Sequence, residues 1–165
     1  MDERTRPTIG VVTADILGRE SGLEFLRGVI DGRYPVPPIA DLLGFSLTEV
    51  DVGRAVFQSN PEFKHYNPLG AVHGGYAATL LDSCMGCSVH STLPAGTGYT
   101  TLEFKVTLIR AITAETGVVT ADGRILNTGR RAATAEGRLT DAKGRLLAHA
   151  TTTCLVFDMA AAPNR

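Results

Sequence analysis

Tyr66-Asn67-Pro68-Leu69-Gly70-Ala71-Val72-His73-Gly74-Gly75, followed at once by YAATLLDSCMGCSVHST over 76–92, decides how this chain is read. The first part is a glycine-rich loop that enters a helix. The second part is almost entirely small or apolar, and Asp82 is its one acidic residue. It lacks a polar face wide enough for a surface helix, so a helix wrapped on most sides is expected. Pro94, Gly96 and Gly98 mark its exit.

Downstream the pattern changes to strand. Leu102, Phe104, Val106 and Leu108 alternate with Glu103, Lys105, Thr107 and Ile109, which predicts a strand with one face buried. Further strands are expected to open at Thr116–Thr120 and to run over Arg131–Thr140 and Leu146–Phe157. Asp141-Ala142-Lys143-Gly144 fits the turn between the last two. Upstream, Ser21–Gly32 carries Leu23, Leu26 and Ile30 at helical spacing, with Phe25 and Val29 four apart. Gly32 and the proline-rich run Tyr34–Pro38 end that short helix. Ile39–Leu43 adds a helical turn, and Phe45–Glu49 with Arg54–Ser59 reads as a hairpin through Asp51 and Gly53. One long buried helix and a run of antiparallel strands satisfy each other as two layers. The expected class is α+β, a curved antiparallel sheet around a central helix, with a short N-terminal helix. Residues 1–18 are expected as an N-terminal arm, 19–159 as the domain and 160–165 as a tail.

The chain has 165 residues, 44% of them apolar and 20% charged, which suits one folded domain with its own core. A net charge of -1 lacks the basic footprint of a nucleic-acid binder. No stretch approaches the roughly 20 apolar residues of a membrane span, and MDERTRPTIG does not read as a secretory signal. No nucleic acid, no membrane and a cytoplasmic setting are therefore expected. Three cysteines do not make a disulfide framework. Cys84-x-x-Cys87 sits in a small apolar run without a second ligand pair, so it reads as packing, and no metal site is expected. Neither a Gly-x-Gly-x-x-Gly after a strand nor a Walker-type loop occurs, and no cofactor is expected.

The chemistry-bearing residues gather around the buried helix. The first N–H groups of a helix have no intrahelical acceptor and lie at its positive end. Two glycines there let a ligand approach the backbone closely. His73-Gly74-Gly75 is thus suited to polarising a carbonyl, or it simply makes a tight bend into the helix. Asp82 in an apolar helix is costly unless it is paired or used, so it is either a base or nucleophile or the acceptor of a structural hydrogen bond. Asn67 offers an amide that orients His73 or a substrate, or it makes an Asx turn before Pro68. Asp82 follows His73 by nine residues and Gly74 by eight. At 1.5 Å per residue that is about 12 Å along one helix. Both groups cannot easily reach one carbonyl within a single chain, whereas two-fold symmetry can bring Asp82 of one copy beside Gly74 of another.

Asn67, His73-Gly74-Gly75 and Asp82 at this spacing, followed by Thr100-Thr101-Leu102-Glu103-Phe104, resemble the hot-dog thioesterase superfamily, and within it the phenylacetate-degradation (PaaI-like) branch. The resemblance spans about residues 20–157. It implies the hot-dog fold and hydrolysis of an acyl-CoA thioester with an aryl, arylacetyl or medium-chain acyl group. It implies Asp82 as nucleophile or general base, the Gly74 amide polarising the carbonyl, and His73 and Asn67 orienting the site. Thr101 matches a position that holds water in the family, with Thr100 as its rival in register. A homodimer is expected as the minimal unit, within a homotetramer. Arg124, Arg130 and Arg131 surround Asn127-Thr128-Gly129. They match the phosphates of coenzyme A, or they form a solvated cluster at a strand end. Strand alternation would point Arg130 and Arg131 to opposite sides. A hot-dog hydratase or dehydratase and a non-catalytic acyl-CoA binding protein are the alternatives. Asp82 after His-Gly-Gly departs from the first, and a retained carboxylate argues against the second.

Overall fold

The computed structural model describes residues 8–161. The expected arm (1–18) and tail (160–165) therefore lie partly outside the described residues. Three short helices, α1 (Ala14–Arg19), α2 (Gly22–Ile30) and α3 (Pro38–Leu43), precede the hairpin of β1 (Phe45–Asp51) and β2 (Arg54–Ser59). The long helix α4 (Gly74–His90) follows, then β3 (Thr97–Leu108), β4 (Val119–Thr128), β5 (Ala132–Asp141) and β6 (Leu146–Asp158). The six strands form one antiparallel sheet in the order β1-β2-β4-β5-β6-β3. This is the hot-dog fold, a curved sheet around a central helix.

Local chemistry accounts for the ends of these elements. Ser21 and Glu24 form a reciprocal capping box at α2. Pro38 starts α3, where a missing N–H costs nothing, and Gly44 closes it in the left-handed region. Gly53 and Gly144 take positive φ at the β1–β2 and β5–β6 turns.

The sheet admits the helix because it is lined by residues with almost no side chain. Gly123 and Gly137 face each other across β4 and β5. A Cβ on Gly123 would lie 2.2 Å from the carbonyl oxygen of Cys84, and one on Gly137 would lie 3.0–3.2 Å from Met85, Leu81 and Cys84. Ala121, Ala135 and Ala150 extend the same small-residue floor, and Leu80, Leu81, Cys84, Met85 and Val89 of α4 are fully buried. An ordinary side chain at Gly123 would lift the helix off the sheet.

Three expectations need correction. The apolar face of β3 is not buried: Leu102 is 59% exposed and Leu108 57% exposed. β3 is an edge strand, paired only with β6, and its register slips between Thr101 and Glu103. Tyr99 and Thr101 meet α4 before this bulge, whereas Val106 and Leu108 turn toward the helix side after it. Secondly, β4 begins at Val119, because Ala114–Thr116 form a single 3₁₀ turn. Thirdly, β5 begins at Ala132, so Arg130 and Arg131 lie in the β4–β5 turn, where strand alternation does not separate them.

Candidate active site

The loop before α4 is held by its own side chains. Asn67 Oδ1 accepts from the N–H groups of Leu69 (2.9 Å) and Ala71 (3.4 Å), an Asx-type turn that Gly70 completes at φ 86°. That use of the oxygen leaves the Asn67 Nδ2 group without an acceptor among the described residues. His73 is the N-cap of α4. Its N–H donates to the carbonyl of His65 (2.8 Å), and its Nδ1 accepts from the Gly75 N–H (2.9 Å). With Nδ1 an acceptor, the neutral ring carries its proton on Nε2. The Tyr76 N–H donates to the His73 carbonyl. Gly75 and Tyr76 are thereby satisfied, and the Gly74 N–H has no acceptor among the described residues. It points from the positive end of a 17-residue helix.

Asp82 lies two turns further along α4 and is half-buried. The Thr101 hydroxyl donates to its Oδ1 at 3.0 Å. Thr100, one residue earlier, is exposed and takes no part in this contact. The structure therefore joins Asp82 to Thr101, and sets His73 directly before Gly74 with Asn67 in the turn that leads to them, but leaves Asp82 and Gly74 about 12 Å apart along the helix. Strand β3 runs past both. Tyr99 faces Gly86, Thr101 faces Asp82, and Leu108 covers Gly74.

The other titratable groups near Asp82 are held neutral. Burial pushes the Cys87 thiol up to about 12, with the Asp82 carboxylate adding to the shift. Burial likewise raises the Tyr99 phenol well above its usual value. A thiol so placed is a packing group, since the thiolate is the reactive form. Cys84 is fully buried, and desolvation raises its pKa as well. Among the described residues no group of three His, Cys, Asp or Glu side chains is arranged to hold a metal ion.

The arginine cluster divides. Arg130 and Arg131 line a hollow of about 630 Å³ together with Gly96, Thr97, Phe157 and Asp158. Arg124 is exposed and pairs with Asp122 at 3.2 Å, in a network that also holds Arg54 against Asp122 and Glu49.

His65 has a role that the sequence did not signal. It is buried, and its ring stacks on Tyr76 at 4.5 Å. Its Nδ1 accepts from the Glu62 N–H, and its carbonyl holds the N–H of His73. Burial lowers its pKa, which favours the neutral ring this geometry requires. Its contact with Glu62 is local, three residues back at the start of the same 3₁₀ turn, whereas Tyr76 and His73 lie beyond that turn and are brought to it by the fold.

Residues 69–148 match the model of the thioesterase superfamily. By this match and the observed fold the chain is similar to the hot-dog thioesterases, and among them to proteins named for phenylacetic acid degradation. A phenylacetic acid degradation-related protein from Ralstonia eutropha JMP134 is 29% identical, over 79% of this chain and 98% of that one, with a TM-score of 0.72. A mutant of the phenylacetic acid degradation protein PaaI from Thermus thermophilus is 26% identical, over 72% and 97%, with a TM-score of 0.65. The protein smu.793 from Streptococcus mutans UA159, solved bound to acetyl CoA, is 26% identical, over 70% and 90%, with a TM-score of 0.64. No curated protein matches the sequence. No helix of the described residues is long and apolar enough to cross a membrane.

Proposed function

We propose that this protein hydrolyses an acyl-CoA thioester to the free acid and coenzyme A, at sites that each draw on two copies of the chain. The observation that carries this reading is the pair of unengaged groups on α4, the Gly74 N–H and the second oxygen of Asp82, too far apart to act together in one chain. The thioester carbonyl oxygen accepts from Gly74 of one copy, which stabilises the charge that develops on attack. Asp82 of the other copy takes a proton from the attacking water, or attacks the carbonyl carbon itself to give an anhydride that water then hydrolyses to the free acid. The C–S bond breaks, and coenzyme A leaves as a thiolate that is then protonated. Thr101 donates to Asp82 Oδ1 and keeps its lone pairs for water, while Asn67 Nδ2 and His73 Nε2 remain to orient substrate.

The edge position of β3 supports the shared site. Two copies of β3 pairing antiparallel about a two-fold near Phe104 and Lys105 would set Thr101 of one opposite Leu108 of the other. Thr101 marks Asp82 and Leu108 marks Gly74, so the same register brings the two groups together. It also covers apolar side chains that a lone edge strand leaves in water. A homodimer is the minimal unit of this reading, within a homotetramer.

Arg130 and Arg131 are the residues for the phosphates of coenzyme A. Their hollow includes Thr97, four residues and about 13 Å along β3 from Thr101. Arg124, already paired with Asp122, is left out of this role. The relatives named for phenylacetic acid degradation support an aryl or arylacetyl substrate, and the relative bound to acetyl CoA supports coenzyme A as the carrier. The three cysteines are free, in keeping with a cytoplasmic setting.

The test is thiol release from a panel of acyl-CoA thioesters by the wild type and by Asp82→Asn. Turnover is expected for the wild type and a loss of about a thousandfold or more for the variant. Tight acyl-CoA binding without turnover would replace this reading with the binding-protein alternative.

A further inference from the structure

The Gly74 N–H is one half of a peptide unit whose other half is already held. It shares that unit with the His73 carbonyl, which accepts from the Tyr76 N–H at 3.0 Å. A peptide unit is planar, so the direction of its carbonyl fixes the direction of its N–H. The preceding peptide is held from the other side, because its N–H, that of His73, donates to the His65 carbonyl at 2.8 Å. His65 also reaches the first of these holds. Its ring stacks on that of Tyr76 with centroids 4.5 Å apart. The Tyr76 hydroxyl donates to Ser59, which in turn donates to the Gly44 carbonyl at 2.7 Å. Both peptides around His73 thus lead back to one residue.

We propose that His65 is a positioning residue for thioester hydrolysis, its side chain fixing the direction in which the Gly74 N–H meets the substrate carbonyl. The proposal rests on the thioesterase reading above and goes beyond it by giving a role in the rate to a residue beneath the site. His65 is 6% exposed, so it acts through its neighbours. Its side chain is tied at two points. Nδ1 accepts from the Glu62 N–H at 2.9 Å, which clamps the 3₁₀ turn and with it the carbonyl offered to His73. The ring holds Tyr76. Burial lowers the pKa of His65 and so leaves Nδ1 free to accept. Its Nε2 has no hydrogen-bond partner among the described residues. An unmet buried donor is costly, and a phenyl ring would fill the same space without one. Packing alone therefore does not require histidine here, whereas the bond to Glu62 requires an acceptor at Nδ1. An oxyanion donor works only when it is aimed where charge develops, and a small misplacement is enough to lower the rate.

The experiment compares the wild type with His65→Phe, which keeps a stacked ring and loses the acceptor, and with His65→Asn, which keeps an acceptor near the place of Nδ1 and loses the ring. Thiol release from the acyl-CoA that the wild type turns over best gives kcat and KM. Binding of a thioether analogue of that substrate, which has no carbonyl to hydrolyse, counts the competent sites in each preparation, so a misfolded fraction does not enter. In each variant kcat per site should fall about tenfold, less than the hundred- to thousandfold that loss of an oxyanion donor itself costs. KM should stay within about twofold, because the amide is aimed at the transition state. A residue that only fills space would leave kcat per competent site unchanged in His65→Phe. The assignment is overturned if His65→Phe keeps kcat per site within about twofold of the wild type, or if the loss in either variant lies in KM. His65→Phe preserves the shape of the ring and decides the matter even if His65→Asn fails to fold. Wild-type turnover with an unmoved kcat in His65→Phe removes this proposal alone. Absence of wild-type turnover across the acyl-CoA panel removes the thioesterase reading and this role together.

Discussion

Two damaged proteins should restore each other if the active site is shared between chains. His73→Ala removes the ring that caps α4 and accepts from the Gly75 N–H, and Asp82→Asn removes the carboxylate that Thr101 holds. Each homodimer then carries the same lesion in both sites. After unfolding, mixing in equal amounts and refolding, about half of the dimers contain one chain of each kind. In such a dimer one site combines both lesions. The other combines the intact helix start of one chain with the intact carboxylate of its partner. One working site in two, in half of the dimers, gives about a quarter of wild-type activity per chain. If Gly74 and Asp82 of one chain served the same site, every site in the mixture would keep a lesion, and activity would stay at the level of the parents. The separation of about 12 Å along α4 is what makes the first result expected. The assay is thiol release from a substrate that the wild type turns over. Mass or affinity tags on the two chains show that exchange took place. Exchange proven, with no recovery, would refute the shared site and the β3 pairing that builds it.

Three further outcomes follow from other parts of the molecule. Gly123→Ala should destabilise the fold by about 3 kcal/mol in urea denaturation, because its Cβ would meet helix backbone at 2.2 Å; a change under about 0.5 kcal/mol would show that α4 does not rest on this glycine. Arg130→Ala or Arg131→Ala should raise KM for full acyl-CoA more than for acyl-pantetheine, whereas Arg124→Ala should change neither; equal losses on both substrates would remove the phosphate assignment. His90, at the end of α4 between the rings of Phe25 and Tyr99, is pushed down to about 4 by burial. Its unfolded form takes up a proton near 6.5, so its contribution to stability is complete above that pH and is lost as pH falls toward 4. Unfolding free energy should drop by about 2 kcal/mol between pH 7 and pH 5 on this account, and His90→Phe should remove most of that slope; an unchanged slope in the variant would assign it to other groups.

Much of this protein was written locally. The small apolar run after His73-Gly74-Gly75 has no polar face, and a helix without one must be enclosed, so α4 and its place in the fold could be read from residues 74–90 alone. The hairpin turn at Gly53, the capping box at Ser21 and the turn at Gly144 are also properties of a few neighbouring residues. The spacing of Gly74 and Asp82 needs only the rise of a helix to show that one chain does not bring them together. Tertiary structure decided what depends on partners distant in sequence. Alternation in β3 predicted a buried face, but burial requires a neighbour. The return of β6 to pair with β3 left that strand at the edge with Leu102 and Leu108 in water. The bulge after Thr101, which turns Leu108 toward Gly74, arises from register against β6 and has no signature in β3 itself. His65 holds His73 through a backbone carbonyl, a contact that any residue type can make, so that link carried no signal in the sequence. Arg124 and Arg130 stand six residues apart in one cluster of sequence. A strand of about 3.3 Å per residue separates them, so that Asp122 pairs with the first and the hollow beside Phe157 takes the second.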